Sequence, residues 1–209
     1  MWDALALPPP AGITDLEAAT RALGFTMWSD PLTLSLLRML AATKVAGQFL
    51  ELGTGTGISA SWIRDGMDTQ SQLTMVDHQE EYVALARRFL GQDSRIHCVL
   101  TEGKIFIESL LEQGKAFDFI FADMEVGKYQ YLDETLGLLA VGGIYVIDHM
   151  LAQASWDQVH RLRACQLISI LEERQDLQIT KLNWSTGIVL AAKVQGSKGL
   201  RDGCSSAIP

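Results

Sequence analysis

Cysteine, proline and positive charge are all scarce in this 209-residue chain. Its three cysteines, Cys98, Cys165 and Cys204, are odd in number and form no CxxC pair. That excludes a disulfide framework and a cysteine-rich metal knuckle, and reduced thiols fit a cytoplasmic setting. Cys98 lies in an apolar, strand-like run and reads as a plain core thiol. Lys and Arg number 17 against 25 Asp and Glu, for a net charge of −8. With no basic stripe, nucleic acid and anionic membranes are poor partners. No apolar run approaches the roughly 20 residues of a membrane span. The opening MWDALALPPP lacks the positive segment of a signal peptide. Internal repeats are also missing.

What the chain does have is 48% hydrophobic residues, enough for one sizeable core. We expect one domain over residues 1–194, with a loose arm at 1–13 and a Gly/Ser-rich, disordered tail at 195–209. A capping box from Thr14 to Glu17 predicts a first helix that stops at Gly24. Ser29 or Asp30 caps a second helix, with Pro31 at its first position. An alternation follows. The strand-like runs are 48–52, 72–77, 95–100, 117–123 and 142–148, and between them lie ISASWIRDGM, QEEYVALARRFLG, KIFIESLLEQG and YQYLDETLGLLA. Strands and helices alternating at this spacing predict βαβ units and a doubly wound parallel sheet. A long helix over 155–174 precedes two last strands, 177–183 and 186–194. So short a link between these two predicts an antiparallel hairpin.

In such a sheet, ligands bind beyond the carboxyl ends of the strands. Glu51, Asp77, Asp123 and Asp148 stand at or beside four of those ends. Helix capping explains one or two of them, and the set points to a functional cleft. Between the first strand and its helix lies ELGTGTGISA. Its GTGISA formally matches the dinucleotide fingerprint GxGxxA, but Glu51 would repel a pyrophosphate there. An ammonium group would be drawn to that carboxylate, directly or through water. S-adenosylmethionine (AdoMet) carries an ammonium and a sulfonium and no phosphate, and its carboxylate can use loop amides and the Ser59 hydroxyl. Asp77, placed to accept ribose hydroxyls, fits AdoMet and NAD alike.

These segments resemble the cation-dependent O-methyltransferases, the group of catechol and caffeoyl-CoA O-methyltransferases within the class I AdoMet-dependent enzymes. The resemblance covers residues 25–194 and implies a Rossmann-like sheet of seven strands with helices on both faces. TMWSDPLTLSLLRML resembles the family's entry segment, with Met27 at the position that touches the cofactor. LELGTGTGIS resembles its glycine motif, which places Glu51, Gly53, Thr54, Gly55 and Ser59 around AdoMet. LTMVDHQEEYVALARRFL resembles its ribose strand, giving Asp77 and, one residue on, His78. TEGKIFIESL resembles the segment bordering adenine, through Gly103 and Lys104. FDFIFADMEVGKYQYL and LLAVGGIYVIDHML resemble the two stretches that hold a divalent cation, through Asp123, Asp148 and the next residue. The resemblance also implies a homodimer through the N-terminal helices and a small hydroxylated, catechol-like acceptor.

The departures fall on the catalytic machinery. Where the family has Asn as third ligand stands His149, Val126 replaces a Lys near the transferring methyl, and Glu125 replaces a second Asp. The sequence leaves open whether Lys128, two residues further along, substitutes. A His nitrogen suits Mg²⁺ or Ca²⁺ poorly and shifts preference toward Mn²⁺, Fe²⁺, Co²⁺ or Zn²⁺. The alternatives are a metal on Asp123, Asp148 and His149, a metal-free site with His149 as general base, or a degenerate site that binds AdoMet without turnover. An NAD(P) oxidoreductase lacks any evident hydride-transfer set. His97 reads as a core or face residue and His160 as solvated on the long helix. Trp28 is placed to wall the cleft, and Trp184 either packs or reaches the acceptor pocket.

Overall fold

A computed structural model describes residues 8–152 and 157–195. The first seven residues of the expected arm, the start of the expected long helix and the tail from 196 lie outside these. Seven strands form one sheet: β1 (Gln48–Leu52), β2 (Gln72–Asp77), β3 (Ile96–Leu100), β4 (Phe117–Ala122), β5 (Leu139–Ile147), β6 (Leu177–Leu182) and β7 (Ile188–Lys193). Their order is β3-β2-β1-β4-β5-β7-β6. The pairs among β1 to β5 are parallel, and β7 runs antiparallel to both β5 and β6. The order reverses between β1 and β4, the switch point where such sheets open a crevice.

Successive residues of a strand face opposite sides, and β1 shows the result. Phe49 joins one core with Leu16, Leu37, Ile63 and Leu90 from α1 (Ile13–Ala22), α2 (Pro31–Ala42), α3 (Ile58–Gly66) and α4 (Glu80–Leu90). Leu50 and Leu52 join the other, with Ile107, Leu136 and Leu167 from α5 (Gly103–Glu112), α6 (Leu132–Gly137) and α7 (Gln158–Glu173). Phe49 and Phe119 stack at 5.5 Å between centroids, and burying each ring contributes about 2 kcal/mol.

Three expectations need correction. Thr14 and Glu17 form no capping box: α1 begins two residues earlier, capped by Gly12 at φ 78 with no side-chain cap. The Pro10 carbonyl accepts the Ile13 amide instead. The arm is accordingly tied down from residue 8, where the Pro8 carbonyl accepts Arg38 at 2.8 Å. Finally, β5 starts at Leu139, three residues before the expected 142, and α6 stops at Gly137. Leu138 and Leu139 are fully buried, and the Leu138 carbonyl accepts the Phe117 amide at 2.8 Å, so this stretch pairs with β4 before the register shifts. The second helix is capped by Asp30, which accepts the Leu32 amide at 2.7 Å. Ser29 is buried and turns toward Asp123 instead.

Candidate active site

The chain leaves β1 through Gly53, Thr54, Gly55, Thr56 and Gly57 and enters α3. Gly53 holds φ 88, and a Cβ there would stand 2.8 Å from Met124 Cβ and 3.0 Å from the Asp123 carbonyl. A Cβ on Gly55 would meet the Phe25 ring at 3.0 Å. The close neighbours of this turn are thus the exit of β4 and the segment before α2. Phe25 is held from behind by Tyr82 at 4.8 Å, and Thr20 of α1 bonds Thr56 at 2.8 Å, hydroxyl to hydroxyl. Gly53→Ala is expected to cost about 3 kcal/mol in urea unfolding, from left-handed strain plus overpacking. Gly114→Ala should cost only about 1 kcal/mol, because Gly114 has φ 62 but nothing within 4 Å.

Under the turn lies Glu51, fully buried. Thr54 donates to its Oε2 at 2.9 Å, while Oε1 has no hydrogen-bond partner among the described residues. Burial raises its pKa from 4.5 to about 8, against the lowering effect of Ser59 and Thr54, with Asp123 and Asp77 adding to the rise. This corrects the expectation of a standing carboxylate: at neutral pH Glu51 is mostly a carboxylic acid, because desolvation outweighs the nearby hydroxyls. The Thr54 hydroxyl, expected to face a cofactor, is spent on it.

Asp77 ends β2 and is almost buried. Its Oδ2 accepts the Gly55 amide at 2.8 Å and its Oδ1 the Gln79 amide at 3.0 Å. One carboxylate therefore shapes the glycine turn and still borders the cleft. His78, half-exposed, places Nδ1 3.7 Å from Asp77 Oδ1.

Across the crevice, β4 and β5 deliver Asp123 and Asp148. Asp148 is fully buried, and its Oδ1 accepts the His149 amide at 2.6 Å and the Thr186 hydroxyl at 2.5 Å. Its Oδ2 has no hydrogen-bond partner among the described residues. His149 sits at φ 58, a left-handed conformation that Asn and His tolerate better than most residues. Its Nδ1 stands 3.5 Å from Asp123 Oδ1 and 3.6 Å from Asp148 Oδ2. The Asp123 carboxylate is the main cause of a raised His149 pKa, with Asp148 reinforcing it against burial.

Lys128, two residues beyond Val126, turns into the protein. Gly127, at φ 92, lies so close to Leu52 that a Cβ would approach Cδ1 to 2.4 Å. Its carbonyl accepts the buried Tyr145 hydroxyl at 2.5 Å. This tight passage turns Lys128 inward: it is 5% exposed and donates to the Asp148 carbonyl at 2.5 Å. Burial lowers its pKa, partly offset by Asp123, Asp148 and Glu125. Val126 instead packs 3.3 Å from where a Gly103 Cβ would lie.

A cleft of about 730 Å³ opens beside these groups, with Glu51 and Asp148 fully buried and outside its lining. Met27, Trp28, Gly53, Gly55, Asp77, His78, Asp123 and His149 line it, and Ser59 and Thr54 line a smaller hollow beside it. Met27 is 73% exposed and forms the rim. Gly103 and Lys104 are not part of the lining: Gly103 sits behind Met124, and Lys104 lies over the Tyr131 ring at 5.4 Å. His160 is no solvated bystander, since it lines the cleft edge-on to Tyr129 at 5.9 Å. His97 is a face residue, bonded to Gln72 at 3.0 Å. Trp184 packs on the α1–α4 side of the core. Phe25, Tyr82, Tyr129 and Thr186 carried no sequence signal of their own.

A cation held by Asp123, Asp148 and His149 was the family expectation. Among the described residues no group of three His, Cys, Asp or Glu side chains is placed to hold a metal ion. The imidazole stands between the two carboxylates, and Asp148 Oδ1 already takes two hydrogen bonds. As arranged, the set does not fit a divalent ion without moving His149.

The sequence pattern of the O-methyltransferase family matches residues 14–194. The chain belongs to this O-methyltransferase family. A provisionally named O-methyltransferase of Mycobacterium avium (strain 104) is 29% identical over 119 residues, 54% of this chain and 51% of that protein. The chain thus spans about half the length of the curated relatives it matches. Among solved structures, the Bacillus cereus O-methyltransferase in complex with SAH superposes with a TM-score of 0.80 at 15% identity, covering 90% of this chain and 93% of that one. TomG of Streptomyces achromogenes, an O-methyltransferase of tomaymycin synthesis in complex with SAM, also gives 0.80, at 18% identity over 93% and 94%. These likenesses establish the shared O-methyltransferase fold.

Proposed function

We propose that this protein is an AdoMet-dependent O-methyltransferase acting on a small hydroxylated, catechol-like acceptor. The observation that carries the proposal is Glu51: a buried carboxyl with an unpartnered oxygen beneath the glycine turn. An arriving ammonium lets this carboxyl ionise and gives its unpartnered oxygen a cation, directly or through one water, whereas ionisation beside a diphosphate would bring like charges together. Asp77 then faces the ribose, and Asp123 stands between donor and acceptor. The acceptor hydroxyl lies against Asp123, Lys128 and His149. Its oxygen attacks the methyl carbon in line as the carbon–sulfur bond breaks, and the electron pair leaves on sulfur as a neutral thioether. The hydroxyl proton passes to His149, whose imidazolium is stabilised by the two carboxylates. Lys128 stabilises the developing oxyanion. No step is routed through a metal.

A second reading, AdoMet binding without turnover, rests on Val126, and the inward Lys128 weighs against it. The homodimer through the N-terminal helices and the cytoplasmic location remain part of the proposal. No described helix is long and apolar enough to cross a membrane. Calorimetry should show binding of AdoMet and not of NADH, and methyl transfer to a catechol panel should occur in EDTA as well as with Mg²⁺ or Mn²⁺. NADH binding alone would end the proposal, and activity appearing only with a divalent ion would replace His149 with that ion.

A further inference from the structure

A second cavity of about 300 Å³ lies between the start of α6 and α7. Tyr131, Leu132, Leu167 and Ile170 give it an apolar body, with Glu134 and Gln166 at its polar edge. The linings of this pocket and of the 730 Å³ cleft share two residues, Lys128 and Tyr129. Lys128 is pinned to the Asp148 carbonyl, which leaves the Tyr129 ring as the other part of the shared wall.

The Tyr129 ring is held as a partition. The Arg163 guanidinium lies 4.5 Å from its centroid, and the Lys128 ammonium 5.2 Å. Arg163 is fixed in turn by a bidentate pair with Glu125, in the loop that carries Tyr129. That loop is closed on itself, with the Tyr129 and Gln130 amides both donating to the Glu125 carbonyl at 2.9 and 3.0 Å. The backbone is thus rigid while the ring projects between two spaces. Its hydroxyl is buried and has no hydrogen-bond partner among the described residues, so no bond to oxygen or nitrogen locks the ring from that end.

We infer that the cleft and the α6/α7 pocket are two halves of one acceptor site, divided by Tyr129, and that this ring sets the length of acceptor admitted. The inference rests on the methyltransferase proposal. One phenolic ring fits beside Asp123, Lys128 and His149. An extended polyphenol, with a second ring system in line with the first, needs the volume behind Tyr129, where its body meets Leu132, Leu167 and Ile170 and its far hydroxyls meet Glu134 and Gln166.

The test compares catechol with quercetin in the wild type, Tyr129→Ala, Tyr129→Phe and Ile170→Trp, with two readouts. The first is kcat/KM for methyl transfer, and the second is Kd for the same probes with S-adenosylhomocysteine bound. Tyr129→Ala should shift the quercetin-to-catechol ratio at least tenfold toward quercetin, and Tyr129→Phe should leave the ratio near wild type. Ile170→Trp, which fills the pocket from its far side, should shift the ratio toward catechol. A ratio unmoved by Tyr129→Ala in the binding readout, or one moved equally by Tyr129→Phe, overturns the partition. Absence of turnover with an intact shift in Kd would instead sink the methyltransferase proposal and leave the partition standing.

Discussion

Asp123→Ala is expected to lower kcat/KM for methyl transfer by about a thousandfold. Asp123 borders both the hollow by the glycine turn and the main cleft, so the proposed function has donor and acceptor meet at its carboxylate. It is also the main cause of the raised His149 pKa. Removing it takes away the group that orients the imidazole and stabilises the imidazolium. The pH profile separates these roles. In the wild type, activity that needs neutral His149 should rise with pH through a value above the ordinary 6.5. In Asp123→Asn, which keeps the shape and loses the charge, that limb should move to lower pH as kcat falls. An acid limb that stays in place would remove His149 from the proton path.

AdoMet binding at pH 7 is expected to release close to one proton, seen as a dependence of the calorimetric heat on the ionisation enthalpy of the buffer. Glu51, at about 8 in the free protein, is mostly protonated before the ammonium arrives and ionises beside it. Glu51→Gln should abolish the release and weaken AdoMet by about 10- to 100-fold, the scale of a charge-assisted hydrogen bond. The same group acts on stability. Its folded pKa lies above its unfolded one, so its contribution is complete below about 4.5 and is lost as pH rises through about 8. Unliganded wild type should therefore lose Tm across that window relative to Glu51→Gln, and saturating AdoMet should close the gap. Equal Tm profiles for the two proteins without ligand would show Glu51 to be ionised from the start.

The parallel sheet was legible because its strands are short apolar runs, four of the five parallel ones ending at or beside a carboxylate, and a period of two followed by a helical one survives any packing. Asp77, Asp123, Asp148 and His149 could be placed for the same reason, since the end of a strand fixes its side of the sheet. The ionisation of Glu51 was not legible. Charge state depends on how completely α3 and the core cover the residue, a tertiary property. Nor could Lys128 be resolved, because its direction is set by the squeeze of Gly127 against Leu52, some 75 residues earlier in the chain. Tyr129 and His160 became neighbours only when α7 packed beside the loop after β4. The capping box failed because a local motif at Thr14 competes with a backbone partner, Pro10, that was already at hand.

The turn before β7 has a further consequence for how the molecule is made. β7 is the last of the described strands to emerge during synthesis, yet it lies between β5 and β6, and the Thr186 that precedes it donates to Asp148. Until residue 193 has left the ribosome, β5 presents an open rim of backbone donors and acceptors, and β6 has no strand to lean on. A nascent chain can therefore shelter a nearly finished donor pocket while its acceptor side stays unlatched, so the two halves ripen at different times.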